Sequence, residues 1–371
     1  MNKKILINAA NLHVGGGVQV AVSFIYEMTQ LLDYDFSNIN VIASSPINKA
    51  LIQLNVDTSI FQSYRVIDLY GIQAFFSSFN QEIKKYDVVF TIFGPNYLRN
   101  QAKKEIVGFA QSWILEFDNA LTQKMKKLSK LKQRIKRFIQ WLIFKRSDLF
   151  IVELEHVKNK LIDRKKINSS NIHIVNNTAS SLYFDQSQWR NIVIKKSTAD
   201  LHLGIVSRDY SHKNLSILPF LGELLLNKYN FRVHFYVTFN NLEWTARNNN
   251  FKKYVTNVGV LQPNECPSFY QQIDGVIFPS LLECFSATPL EALVMEKPLF
   301  ASDRDFVRDV CGDYAIYFDP LNIDSIAKSI TNYFTSDEDH FNYLSKAKNH
   351  ATNFSNAKDR ALKYLQIITH S

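Results

Sequence analysis

Short apolar runs alternate with amphipathic stretches along almost the whole chain, a pattern that predicts an α/β protein built on parallel sheets. In the first half the predicted strands are Lys4–Ala9, Asn40–Ser44, Tyr64–Asp68, Val88–Phe93, Glu105–Phe109, Leu149–Val152 and Ile172–Val175. A glycine turn follows the first strand, and a helix runs from about Val18 to Leu32. The second half repeats the alternation with Leu201–Val206, Arg232–Val237, Thr256–Val260, Gly275–Phe278, Pro298–Ala301 and a short Ala315–Phe318. Between the halves, Thr178 to Thr198 has mixed polarity and no period, which places the hinge there. A last helix is predicted from about Tyr343 to Ile367.

Length agrees with this two-part pattern, since 371 residues exceed one ordinary core. The expected domains are 1–180 and 199–345, followed by a closing segment, 346–371. Hydrophobic residues make up 46%, enough for two filled interiors, and eleven glycines with nine prolines exclude a long disordered linker. Cys266, Cys284 and Cys311 lack C-x-x-C spacing, which argues against a disulfide framework or a zinc site and fits a reducing compartment. The apolar run after Lys3 and Lys4 stops at Asn8, so it reads as a strand rather than a signal peptide. No run approaches the ~18–20 apolar residues of a spanning helix, which implies a soluble or peripheral protein.

The net charge of +9 is concentrated in one place. No acid occurs between Asp118 and Asp148, while ten lysines and arginines crowd into the same interval. Leu121, Leu128, Ile135 and Leu142 recur every seventh residue, giving helix 121–146 one apolar stripe with basic flanks. Such a helix suits an anionic bilayer surface, or equally a helix packed on its own domain with a solvated basic face. No nucleic-acid-binding motif accompanies the charge.

Three local patterns carry candidate chemistry. From Phe278 to Leu293 a buried strand turns into a helix that opens near Ala287, with Glu283 and Glu291 on either side of the opening. Free backbone N–H groups at a helix start favour an anion, whereas carboxylates favour hydroxyls. A sugar nucleotide offers both. From Val206 to Leu215 a second turn follows a strand and carries Arg208 and Lys213, two cations suited to a diphosphate at a strand's carboxyl end. Gly15-Gly16-Gly17 lies between the first strand and its helix, where the backbone can approach a ligand. Each has a plainer reading: exposed acids on a turn, solvated loop cations, an ordinary tight turn. Asp303-Arg304-Asp305 has the D-x-D form of a metal site, but its position after a late strand reads better as a loop start with a helix cap.

The 278–293 run closely resembles the E-x7-E motif of family 4 retaining glycosyltransferases, the group 1 enzymes of the GT-B fold. Glu283 and Glu291 match its acids; Phe285, Pro289, Leu290 and Ala292 match its framework. Arg208 and Lys213 resemble the family's pair on the donor phosphates, and the glycine triplet its glycine loop. The resemblance is strongest over Leu201 to Phe318.

It implies two Rossmann-like domains facing a central cleft, with the last helix crossing back to the first domain. It also implies a UDP- or GDP-sugar donor and no metal or other cofactor. Glu283, Arg208 and Lys213 take the catalytic roles. Phe285, Ser286, Ala287, Thr288, Leu290, Glu291, Gly16 and Gly17 join them around the donor, while His13 and Gln111 stand on the acceptor side. The acceptor implied is a saccharide, lipid-linked (polyprenyl) if the basic helix meets membrane. The setting is then the cytoplasmic face of the inner membrane, in O-antigen or capsule assembly. Two departures stand out: Cys284 and Ser286 replace common glycines, and Gln111 stands where the family often has histidine. A sugar-nucleotide epimerase of the same fold and a non-catalytic sugar-nucleotide-binding subunit are the alternatives.

Overall fold

Ile5–Ala9 (β1), Ile39–Ala43 (β2), Val88–Thr91 (β4), Leu201–Ile205 (β8), Gly275–Phe278 (β11) and Leu299–Ser302 (β12) are buried at every residue. Strands covered on both faces need helices above and below them, which is the parallel-sheet condition. The computed structural model, which describes residues 3–371, meets that condition twice. One unit runs to Asn177 and adds Ala357–Ser371; the other is Thr178–Asn356.

The remaining strands of the first unit are Ser63–Val66 (β3), Lys104–Gly108 (β5), Leu149–Val152 (β6) and Ile172–Ile174 (β7). Its sheet has the order β3-β2-β1-β4-β5-β6-β7, with Ile5 of β1 opposite Ile39 of β2 and Val88 of β4. The second unit adds Val233–Val237 (β9), Val255–Asn257 (β10) and Ile316–Phe318 (β13), in the order β10-β9-β8-β11-β12-β13. All pairings are parallel. In both sheets the order reverses beside the unit's first strand, at β1/β4 and at β8/β11. Loops leaving neighbouring strands in opposite directions open a crevice at their carboxyl ends, where open α/β sheets bind ligands.

The longer helices are Gly16–Thr29 (α1), Ser45–Gln53 (α2), Lys127–Phe144 (α3), Glu155–Lys165 (α4), Leu218–Tyr229 (α5), Ala287–Val294 (α6), Asp305–Cys311 (α7), Ile323–Thr335 (α8), His340–Phe354 (α9) and Ala357–His370 (α10). In α1 the buried residues Val20, Ala21, Phe24, Ile25 and Met28 recur at helical spacing and face the first sheet's core. Cys266, Cys284 and Cys311 are buried and form no disulfide.

Three segments differ from the sequence expectation. The 121–146 helix is broken: Asn119 and Thr122 cap each other around a short turn, Ala120–Gln123, and α3 starts afresh at Lys127. Within α3 only Trp141 and Phe144 are buried. Leu128, Leu131, Ile135, Phe138, Ile139 and Leu142 are 48–66% exposed. At 3.6 residues per turn their stripe lies roughly 130° round the helix from the buried pair. The stripe therefore does not pack on its own domain; a different face does.

The expected hinge, 178–198, belongs to the second unit. Its backbone is stitched there by Arg190 N–H to the Asn264 carbonyl (2.8 Å), Ile192 N–H to Ser268 Oγ (3.1 Å) and Ile194 N–H to Gln272 Oε1 (2.9 Å). The closing helix is two helices, broken at extended Ser355. α9 packs on α6 and α7, while α10 packs on α1 of the first unit through Tyr364, whose ring meets Phe24 at 5.1 Å.

A buried polar cluster secures α10. The Arg360 guanidinium, 2% exposed, donates to Asn177 Oδ1 and to Ser23 Oγ (2.7 Å). Asn177 in turn donates to Glu153 Oε1 at 2.8 Å. Burial pushes the Glu153 carboxyl up to about 7, opposed by the Asn177 bond and the Arg360 charge. Removing one member strands the others in the interior, at a cost of about 3–5 kcal/mol. Arg360→Ala should therefore lower the thermal unfolding midpoint markedly, and an unchanged midpoint would show that this cluster does not secure the helix.

Candidate active site at the carboxyl end of the second sheet

β8 and β11 are neighbours, so the segments that leave their carboxyl ends must share space. The first, after Ile205, carries Arg208, His212 and Lys213. The second, after Phe278, carries Glu283 and Ser286 and runs into α6. Leu281 N–H donates to the His212 carbonyl at 2.7 Å, and Thr288 Oγ1 donates to the Val206 carbonyl at 3.3 Å. These two bonds hold the segments in register.

The result is a tight ion pair. Lys213 Nζ lies 2.7 Å from Glu283 Oε1 and 3.5 Å from Ser286 Oγ, and 5.2 Å above the Phe278 ring. Both charged side chains are nearly covered, at 12% and 11% exposure. Glu283 Oε1 has no aligned hydrogen bond among the described residues, so charge rather than a directed bond holds it. Covered charges pay a desolvation cost that mutual attraction recovers incompletely. A ligand that offers phosphate to the lysine and hydroxyls to the carboxylate can take their place.

His212 joins this pair. Its Nε2 is 3.7 Å from Glu283 Oε2, and its ring stacks on Tyr210 at 5.5 Å. Burial pushes the imidazole below its ordinary value; Glu283 opposes that shift and Lys213 adds to it. α6 opens beside them with extended Ser286 at its N-cap, no side-chain cap and no acid in its first turn. The N–H groups of Ala287 and Thr288 carry the positive end of the helix there, and Pro289 has none to give. Leu290 is fully buried, so it offers this edge only backbone. Cys284 is buried as well, and of the two residues at common glycine positions it is Ser286 whose hydroxyl faces the lysine.

Glu291 stands five residues into α6. Its Oε2 accepts the Tyr270 hydroxyl at 2.9 Å. Burial raises its carboxyl, while the hydrogen bond from Tyr270, the nearby Tyr183 hydroxyl and the Lys213 charge oppose the rise. Lys213, Glu283, Ser286 and Glu291 thus share one local field. Arg208 is held apart from it. Its Nε donates to both Glu243 oxygens, at 2.9 and 3.0 Å, and that carboxylate holds the guanidinium above its ordinary value. Asp209 beside it is bound by Arg247.

Sequence reasoning assigned no role to His212, Glu243 or Tyr270. His212 lies in the same Val206–Leu215 turn as Lys213, and that adjacency is its signal in the sequence. Glu243 follows β9 and Tyr270 precedes β11, so only strand order brings them here.

In the first unit, the residues expected around the acceptor and the glycine loop lie at the carboxyl end of their own sheet. Gly15 caps α1 at φ 75°, ψ −161°, a conformation essentially reserved to glycine. Gly16 and Gly17 form the first turn of α1. His13 Nδ1 is 3.5 Å from Asp68 Oδ1, its ring meets Tyr70 edge-on at 4.5 Å, and its Nε2 has no partner among the described residues. Gln111 starts a short helix, Ser112–Leu115, after β5. Gly108 ends β5 where a Cβ would fall 1.6 Å from the Ile92 carbonyl oxygen, so no other residue fits.

Asp303 is bound by Arg308, at 2.5 and 2.9 Å, and Asp305 opens α7. The N-cap there is Arg304, whose side chain makes no capping bond, so the expected cap is instead an acid in the first turn.

Residues 195–351 match the model of the family described as glycosyl transferases group 1. The matched residues lie within the second unit. No curated protein matches the chain. Among solved structures, a glycosyltransferase from Rickettsia africae ESF-5 is similar with TM-score 0.68 and 15% identity, covering 100% of this chain and 99% of that one. Anabaena Alr3699/HepE, solved with UDP and glucose, is similar at TM-score 0.66 and 14% identity, over 100% of both chains. WaaG, a glycosyltransferase involved in lipopolysaccharide biosynthesis, is similar at TM-score 0.64 and 12% identity, over 99% of this chain and 100% of that one. The two Rossmann-like units are those of the GT-B fold.

The electrostatics of the pair can be read through His212. In an NMR titration its ring should protonate below the pH of an ordinary histidine. Glu283→Gln should lower that point further and Lys213→Met should raise it; shifts of the opposite sign would contradict the geometry.

Proposed function

We propose that the protein, whose residues 195–351 match the family described as glycosyl transferases group 1, is a retaining, metal-independent glycosyltransferase of family 4. It transfers a sugar from a UDP- or GDP-sugar to a lipid-linked saccharide acceptor. The observation that carries this reading is the covered Lys213–Glu283 pair beside the uncapped start of α6, at the strand-order reversal of the second sheet. The solved relative with UDP and glucose makes a nucleotide diphosphate the natural ligand class.

In this reading the donor diphosphate draws Lys213 away from Glu283 and competes with Glu243 for Arg208. The α6 amides of Ala287 and Thr288 complete the anion site, and Glu283, once released, accepts bonds from donor-sugar hydroxyls. Glu291 accepts bonds from the ribose. As the bond from the anomeric carbon to phosphate breaks, negative charge grows on the leaving oxygen. Cations already in place stabilise that charge most. The acceptor oxygen bonds to the same face of the anomeric carbon, and its proton passes to the leaving phosphate oxygen. Two cations cover the diphosphate, and Asp303 is committed to Arg308, so the donor set suits phosphate without a metal bridge.

The acceptor class rests on α3. An exposed apolar stripe flanked by Lys132 and Lys136 on one side and Lys127, Arg134 and Lys145 on the other fits the surface of an anionic bilayer. Among the described residues no helix is long and apolar enough to cross a membrane. The reading is therefore a peripheral enzyme on the cytoplasmic face of the inner membrane, in assembly of a bacterial surface polysaccharide such as O-antigen or capsule.

A panel of UDP- and GDP-sugars with lipid-linked acceptors should yield a product whose anomeric configuration matches the donor, with turnover persisting in EDTA. Glu291→Ala should weaken UDP or GDP binding by ~10- to 100-fold, the scale of a lost charged hydrogen bond. Lys213→Ala should slow turnover by ~100- to 1,000-fold, more than it weakens donor binding. Normal kinetics in both variants would remove this site assignment. In vesicle flotation, replacing Lys127, Lys132 and Lys136 by glutamate should abolish binding to anionic lipid, and unchanged binding would remove the membrane reading.

A further inference from the structure

Glu291 is the least free carboxylate of the site. Tyr270, from the short helix Cys266–Gln271 that leads into β11, is fully buried and donates its hydroxyl to Glu291 Oε2 at 2.9 Å. Tyr183 approaches from the Ser181–Phe184 turn, which Trp189 steadies by donating Nε1–H to the Leu182 carbonyl at 2.6 Å. Its ring lies 6.1 Å from that of Tyr270. The Tyr183 hydroxyl is buried and has no aligned hydrogen-bond partner among the described residues. Burial, and then the nearby Glu291 charge, push this phenol well above its ordinary value.

Burying a phenol without an aligned bond carries a cost, so its retention calls for an explanation. A carboxylate can accept bonds at two oxygens. Tyr270 occupies one of them.

We propose that Tyr270 and Tyr183 are positioning residues for the donor: Tyr270 pins Glu291 Oε2 so that Oε1 is presented to the ribose, and Tyr183 supplies a second hydroxyl that keeps the group a carboxylate. This rests on the role given to Glu291 above. The balance around Glu291 explains why two phenols are needed. Burial favours the protonated acid, and a protonated acid has given up part of its capacity to accept bonds from ribose. Opposing burial are Tyr270, Tyr183 and the Lys213 cation; Cys266, the other titratable neighbour, is a buried thiol pushed up to about 12, and so neutral. Without the Tyr270 hydroxyl, Glu291 protonates at a higher pH. Donor affinity then falls off earlier as the solution is acidified.

The test is calorimetric titration of the full chain with UDP and with GDP from pH 5 to 8, with unfolding midpoints measured alongside. Tyr270→Phe keeps the ring and should weaken the better-binding nucleotide by ~5- to 20-fold at pH 7, the scale of one charge-assisted hydrogen bond. It should also move the acid-side loss of binding to higher pH. Tyr183→Phe should move that limb the same way by less. Glu291→Gln should flatten the limb, and adding Tyr270→Phe to it should not restore any pH dependence. A merely structural tyrosine would lower the unfolding midpoint and leave the limb where it was. If Glu291→Ala weakens the nucleotide while Tyr270→Phe binds within twofold of wild type on an unmoved limb, the positioning role is wrong and the donor site stands. If Glu291→Ala binds normally, or neither nucleotide binds the wild type, the donor reading itself falls.

Discussion

The Lys213–Glu283 pair exists because β8 and β11 lie side by side. The two residues are seventy positions apart in the chain, and nothing local draws them together. Two crossbonds, Leu281 to His212 and Thr288 to Val206, set their segments in register once the strands are paired. Everything else at this edge is arranged around that contact. Ser286 and His212 touch it, α6 opens beside it, and Glu291 lies within reach of the lysine's charge.

Charges at the site are already committed before any ligand arrives. Lys213 is held by Glu283, Arg208 by Glu243, and Glu291 by Tyr270. This keeps covered charges paired, although their attraction recovers the desolvation cost only in part. It also means that a ligand carrying phosphate and hydroxyls meets an exchange of partners rather than bare ions. The half-exposed Arg208 pair is the weaker of the two ion pairs, because solvent screens it. The nearly covered Lys213 pair is the one whose rearrangement distinguishes a fitting ligand from a passing anion.

Much of the fold was legible along the chain. Strands such as Leu149–Val152 and Gly275–Phe278 are continuous apolar runs, because burial on both faces leaves no polar register to keep. Less was legible where a helix meets its neighbours. The closing stretch reads as one helix, yet Ser355 breaks it and sends α10 to the first unit, where Arg360 finds Asn177 and Ser23. Both partners are distant in sequence. The basic stretch likewise shows an apolar stripe, but periodicity cannot say whether a stripe is covered; in α3 it is not.

By itself, the order of residues determined the alternation of strands and helices, the acids around the α6 opening, and the cations after β8. These are local properties: burial period, turn chemistry, and residue type at a strand end. The tertiary structure decided which of those groups meet. It paired Arg208 with Glu243 instead of grouping it with the acids, gave Glu291 two buried phenols, and left one face of α3 in solvent. Such outcomes depend on lateral strand order and on long-range packing, which no window of neighbouring residues contains.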